Sequence, residues 1–206
     1  MTVGEPLVAV LAEAQRRGLI GARPIAWHIG QAECYASALV PGARTIDLGS
    51  GGGLPGLPLA VFRPDLAVTL LDARDRAAQW LRQAVVALAR PDIIVVHARA
   101  EAFVATGRGS FDAVVSRGFG SPADLAECAA PLLVPGGVLV VSAANAGEHW
   151  DPEGLRALGL RLDGIVSTDF GALVVARLVG SCASAFPRSV SIRRRRPLWS
   201  GGRPGA

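Results

Sequence analysis

Apolar residues fall along this chain in two rhythms. Leu7, Val8, Val10, Leu11 and Ala14 recur at helical spacing through residues 5–17, which predicts an amphipathic helix ended by Gly18 or Gly21. Pro24 opens a second predicted helix, through about Leu39. From Ala43 onward, short apolar runs alternate with helical stretches, the pattern of βαβ units around a parallel sheet. The predicted strands are Arg44–Leu48, Ala67–Leu71, Ile93–His97, Ala113–Ser116 and Val138–Ser142, with helices near Leu54–Phe62, Asp75–Ala89 and Pro122–Leu132. Pro91 and the pair Gly136–Gly137 mark turns entering the third and fifth strands. A helix near Pro152–Leu158 then leads to Leu160–Ser167 and, across the short turn Thr168–Gly171, to Ala172–Val179. So tight a connection joins antiparallel neighbours. The reading is an α/β fold with a doubly wound, mostly parallel sheet and an antiparallel finish: a helical cap at 1–42, one domain at 43–180 and an arginine-rich tail at 181–206.

Composition agrees with one core. Half of the 206 residues are hydrophobic, enough for a buried sheet covered on both faces. The formal charge of +4 hides a split, because residues 181–206 hold Arg188, Arg193, Arg194, Arg195, Arg196 and Arg203 and no acid, leaving the rest of the chain at −2. Basic character concentrated in one segment points to an anionic partner, most often nucleic acid. Arg193–Arg196, flanked by Ile192 and Trp199, is the expected RNA contact, with Trp199 available to stack on an exposed base. Cys34, Cys128 and Cys182 are scattered, as are His28, His97 and His149. That excludes the usual zinc spacings and suggests reduced thiols in a cytoplasmic protein. The first helical segment does not read as a signal peptide, and no run reaches the roughly 20 apolar residues of a membrane span.

The candidate chemistry starts at Thr45-Ile-Asp-Leu-Gly-Ser-Gly-Gly-Gly-Leu-Pro-Gly56. A strand runs there into a glycine-rich turn and a helix, where backbone N–H groups can meet a nucleotide-like cofactor. Gly51-x-Gly53-x-x-Gly56 with Asp72 also satisfies the dinucleotide fingerprint, so a nicotinamide-dependent oxidoreductase is one alternative. Asp47 before Gly49, the acidic Glu101 after strand three and the antiparallel finish favour a methyltransferase instead. Asp47 is expected to hold the glycine loop. Asp72, at the carboxyl edge of strand two, can accept both ribose hydroxyls, and Ala100 and Glu101 can flank the adenine. Arg117 at the end of strand four can bind a cofactor carboxylate or an RNA phosphate, and Phe119 can stack on a base.

These residues resemble the ribosomal RNA small-subunit methyltransferase G family, also called glucose-inhibited division protein B. The resemblance runs from about Trp27 to Trp199. It is carried by Asp47-Leu-Gly-Ser-Gly-Gly-Gly-Leu-Pro-Gly-Leu-Pro58, Arg63-Pro, Leu70-Leu-Asp72, Trp80-Leu-Arg-Gln83, Ala98-Arg-Ala-Glu101, Ser116-Arg117 and the ending Phe186-Pro-Arg188. It implies a class I S-adenosylmethionine-dependent methyltransferase that modifies the N7 of a guanine in small-subunit ribosomal RNA. Cofactor contacts would fall on Gly49, Gly51, Gly53, Leu54, Asp72, Ala100, Glu101 and Arg117. Guanine N7 carries an exposed lone pair and needs no deprotonation, so no catalytic base is named. Partners would be ribosomal RNA or the small subunit, acted on by a monomer without metal or membrane. Two departures stand out. Ser142-Ala-Ala-Asn145 replaces the family's lysine-glycine pair after strand five, and the N-terminal region lacks its Trp-Asn and Asn-Leu-Thr elements. The first of these leaves a second alternative, a ribosome-associated RNA-binding protein without catalysis.

Overall fold

In a computed structural model, described over residues 4–143 and 150–200, seven strands form one sheet in the order β3-β2-β1-β4-β5-β7-β6. The strands are β1 Arg44–Leu48, β2 Ala67–Asp72, β3 Ile94–His97, β4 Phe111–Ser116, β5 Leu133–Ala143, β6 Leu160–Thr168 and β7 Gly171–Leu178. β1 to β5 pair in parallel, and β7 runs antiparallel between β5 and β6. Strand order reverses between β1 and β4, the switch point beside which open α/β sheets bind ligands.

The helices are α1 Gly4–Arg16, α2 Ile25–Ala36, α3 Gly56–Phe62, α4 Asp75–Ala87, α5 Ala100–Gly107, α6 Pro122–Ala129, α7 Pro152–Ala157 and α8 Val190–Arg195. Side chains alternate across each strand, so the sheet feeds two buried clusters. Ile46, Leu48, Leu139, Val141 and Val174 meet residues of α5, α6 and α7 on one face. Leu70, Val115, Val138, Val140 and Leu173 meet α1 to α4 on the other. Leu7 and Leu11 of α1 and Tyr35 of α2 are wholly buried in that second cluster.

Several details depart from the sequence reading. β5 starts at Leu133, ahead of Gly136–Gly137, because Leu133 pairs with Phe111 across a register shift before Ala113. α3 starts at Gly56, two residues late, since Leu54 and Pro55 belong to the loop. Residues 100–107 form a helix, α5, not anticipated as one. The basic segment folds as well: α8 docks on the domain, and Trp199 packs against Trp150 with ring centroids 6.5 Å apart, buried in the first cluster. A tryptophan held there is not free to stack on RNA, which corrects that expectation. Ala144, Asn145, His149 and Arg203 lie outside the described residues.

Candidate cofactor and RNA site

Beyond the carboxyl ends of β1, β2 and β4 lies a hollow of about 370 Å³, walled by Gly49, Asp72, Ala98, Ala100, Glu101 and Phe119 among others. The β1 tip is built tightly. The N–H groups of Gly49 and Ser50 donate to the Leu71 carbonyl at 2.8 and 3.1 Å, so the chain turns across β2 as it leaves the sheet. Gly49 has φ +73°, and a Cβ there would stand 3.0 Å from the Phe119 ring. Only glycine holds that turn with Phe119 close beside it.

Asp47 is fully buried, and its Oδ2 accepts from the Gly56 N–H at 3.0 Å, stitching β1 to the start of α3. Burial pushes its carboxyl up to about 7, with the Gly56 N–H pulling the other way. Oδ1 has no hydrogen-bond partner among the described residues. A buried acceptor without a donor is rare in folded proteins. Asp47 is not on the wall of the hollow; it acts from beneath the loop, holding the β1 tip to α3.

Asp72 closes β2 with only a sliver of its side chain accessible. Its Oδ2 accepts from the Gly51 N–H at 2.8 Å, and Oδ1 from the Arg74 N–H at 2.9 Å. The Arg74 guanidinium adds bonds at 3.1 and 3.2 Å. Burial pushes the Asp72 carboxyl up, but Arg74 and the two N–H groups outweigh it and hold it below the ordinary value. The Arg74 side chain is 67% exposed, so it can yield its two places to a sugar diol. Glu101, in the first turn of α5, accepts from Arg193 at 2.6 Å and from Arg99 at 3.2 Å, both through Oε1.

The hollow thus gathers Gly49, Asp72, Ala100 and Glu101 but not Gly51, Gly53, Leu54 or Arg117. Gly51, Gly53 and Leu54 are buried within the loop. A Cβ on Gly52 would meet Ile20 at 2.4 Å, and the Gly52 carbonyl accepts from Trp80 Nε1 at 3.2 Å. Packing under residues 19–20, in addition to any ligand, demands small residues in this triplet.

Arg117 lies one step along the sheet edge, on the walls of two further hollows of about 360 and 240 Å³. The smaller shares Gly118 and Phe119 with the first hollow and Arg117 and Ser142 with the other, so the three adjoin in a row, a trough along the sheet edge. Arg117 Nη1 meets His28 Nδ1 at 2.9 Å and Gln31 Oε1 at 3.0 Å. A guanidinium only donates, so Nδ1 must accept and the imidazole proton sits on Nε2, donating to the Gly21 carbonyl at 3.1 Å. Burial, aided by the Arg117 charge and opposed by the Gly21 bond, holds His28 below its ordinary value. Half-buried Trp27 and the Phe170 ring line the same hollow, in edge contact at 6.4 Å, with the Arg23 guanidinium 4.6 Å over Trp27.

Sequence reasoning missed Tyr35, the one tyrosine of the chain. Its buried hydroxyl donates to the Ser116 carbonyl at 2.8 Å and accepts from the Ser142 N–H at 2.7 Å. It thereby extends the β4–β5 ladder by one rung where the trough begins. Burial pushes this hydroxyl well above its ordinary range, so it stays protonated. Arg193, expected on the RNA side, is instead buried between Glu101 and Asp124, because two carboxylates at the wall of the hollow need a cation. No cluster of potential metal ligands occurs among the described residues, and no helix there is long and apolar enough to cross a membrane.

The GidB family model, rRNA small subunit methyltransferase G, matches residues 25–149. A protein named ribosomal RNA small subunit methyltransferase G from Rubrobacter xylanophilus is 33% identical, over 96% of this chain and 84% of its own length. The protein of that name from Mycobacterium leprae is 39% identical, over 72% of this chain and 62% of its own. Among solved structures, a SAM dependent methyltransferase from Aquifex aeolicus superposes with a TM-score of 0.62 at 15% identity, covering 82% of this chain and 98% of that one. That likeness speaks for the fold, and the sequence matches set aside the nicotinamide alternative. With a class I methyltransferase sheet, a glycine-turned β1 tip and a family match across more than half its length, the chain belongs to the rRNA small subunit methyltransferase G family.

Proposed function

We propose that the protein transfers a methyl group from S-adenosylmethionine to the N7 of a guanine in small-subunit ribosomal RNA. The observation that carries this reading is the row of adjoining hollows at the switch point. Its acidic end, Asp72 and Glu101, suits a nucleoside, and its aromatic and basic end, Trp27, Phe170 and Arg117, suits an RNA base and its phosphate.

The bound cofactor would supply an electrophilic methyl on a sulfonium. The chain's own task is then placement. Asp72 would accept from the ribose hydroxyls in place of Arg74. Glu101 and the Ala100 backbone would meet the adenine edge, and Asp47 would keep the glycine loop in shape beneath the cofactor. Gly118 and Phe119 separate the two ends and would set the approach of the base. N7 offers its lone pair without losing a proton, so orientation and exclusion of water are the available contributions to rate. No side chain needs to act as a base. Exposed Arg194, Arg195 and Arg196 would neutralise RNA phosphates. The reading includes a monomer working in the cytoplasm without metal.

The test is transfer of labelled methyl to small subunits lacking the modification, followed by mapping through cleavage specific for N7-methylguanine. Label at one cleavable guanine is the expected result. Label at another atom overturns the N7 assignment. No transfer to naked RNA or to any assembly stage, with RNA binding retained, replaces the reading with binding without catalysis, the alternative raised by the absent lysine.

A further inference from the structure

Within the arginine run, Arg193 alone is buried, 5% exposed beside exposed Arg194, Arg195 and Arg196. Each of three guanidinium nitrogens has an acceptor. Nη2 donates to Glu101 Oε1 at 2.6 Å, Nε to Asp124, and Nη1 to the Arg188 carbonyl at 2.9 Å. Glu101 lies in the first turn of α5 and Asp124 in the first turn of α6, so one cation ties two helix starts together at the wall of the cofactor hollow.

Anchoring the C-terminal segment does not call for this. That segment is already fastened on both sides, by Arg188 to the buried Glu127 at 2.7 Å and by Trp199 against Trp150. Burying a further arginine is unfavourable unless its pairing is complete. Here each guanidinium nitrogen is paired, and one of the bonds falls on the acid placed to meet the cofactor base. Both guanidinium bonds to Glu101 land on Oε1, and among the described residues no side chain is bonded to Oε2.

Resting on the cofactor reading above, we propose that Arg193 is a positioning residue for nucleoside recognition. It fixes Glu101 through Oε1 and leaves Oε2 to accept from the exocyclic amine of adenine. The C-terminal segment is then part of the cofactor site and sets its preference for an amino over an oxo purine. A hypoxanthine ring would present a carbonyl to that carboxylate, two acceptors with no proton between them.

The test is calorimetric titration of S-adenosylhomocysteine and S-inosylhomocysteine into the full chain, as wild type, R193K, R193M, E101Q and R193M/E101Q. R193M should weaken the adenosyl ligand about tenfold, within the usual coupling of contacting residues. It should leave the inosyl ligand within about twofold, so the preference narrows. R193K should recover most of the loss, and adding R193M to E101Q should cost less than about twofold more. Equal loss for both ligands would show a brace acting through the fold, and unchanged adenosyl affinity would show no role at all; either overturns the proposal. Should R193M fold poorly, E101Q alone, which keeps Asp124 paired with Arg193, must narrow the preference the same way or the proposal falls. A wild type that binds neither ligand removes the cofactor reading itself, and this inference with it.

Discussion

Replacing Tyr35 with phenylalanine deletes one oxygen and leaves the ring packing intact. That oxygen links α2 to both strand ends at once, accepting from Ser142 N–H of β5 at 2.7 Å and donating to Ser116 O of β4 at 2.8 Å. Without it, one donor and one acceptor lose their partner. A buried group left so costs roughly 1–3 kcal/mol. The Ser116 end is fully buried, but Ser142 is half-buried and water can replace part of that bond. The expected loss is therefore about 2–3 kcal/mol, the lower part of the summed range. For a chain of this length that corresponds to a fall in Tm of about 5–10 °C. Urea unfolding followed by circular dichroism measures it, and an unchanged m-value would place the effect in the native state. Because the freed strand ends border the hollow that holds Arg117, KM for the RNA substrate should rise while cofactor affinity stays near wild type. A loss below about 0.5 kcal/mol, the size of an ordinary surface change, would refute the claim that this hydroxyl completes the β4–β5 ladder.

Further outcomes follow from other contacts. Gly56→Ala would set a Cβ 2.3 Å from Leu70 Cδ2 and 2.7 Å from Asp47 Oδ2, so denaturant titration should show about 1–3 kcal/mol of overpacking loss; wild-type stability would mean that the loop and Leu70 give way freely. Asp72→Asn, which keeps an acceptor for the Gly51 N–H, should weaken S-adenosylmethionine binding at least tenfold by calorimetry, and unchanged affinity would remove the ribose assignment. His28 is held below its ordinary value, so the unfolded chain binds the extra proton first. Its contribution is then complete above pH 6.5 and is lost as pH falls below 6.5 toward the folded value. His28→Asn should show a shallower loss of stability than wild type between pH 6.5 and 5, and parallel curves would count against the neutral tautomer. Combined Arg194→Ala, Arg195→Ala and Arg196→Ala should lower the salt dependence of RNA binding by up to about three phosphate contacts without changing Tm. An identical slope would make the exposed run a bystander.

Much of the sheet is legible in the chain because buried parallel strands must be apolar almost continuously, and β1, β2 and β4 show that between glycine and proline punctuation. Asp72 and Glu101 could be expected at one edge of the sheet because Asp72 ends β2 and Glu101 comes four residues after β3, and closeness to a strand tip is a one-dimensional property. The residues that escaped depend on long-range encounters. Tyr35 reaches Ser116 across 81 positions and Arg193 reaches Glu101 across 92, and no periodicity encodes either. The arginine run read as an RNA contact throughout because nothing local distinguishes Arg193 from its neighbours; burial there is decided by two acids on other helices. The glycine triplet was ascribed to ligand approach, whereas Gly52 also answers to Ile20, a residue whose nearness no spacing rule anticipates.

The four indoles are divided by the fold in a way that serves spectroscopy. Trp80, Trp150 and Trp199 are sealed inside, while Trp27 alone opens partly onto the hollow beside Arg117. Emission that responds to added quencher should therefore come from Trp27. A purine stacked in that hollow would shield it, and the untouched protein carries its own optical gauge of substrate occupancy, with no dye to attach.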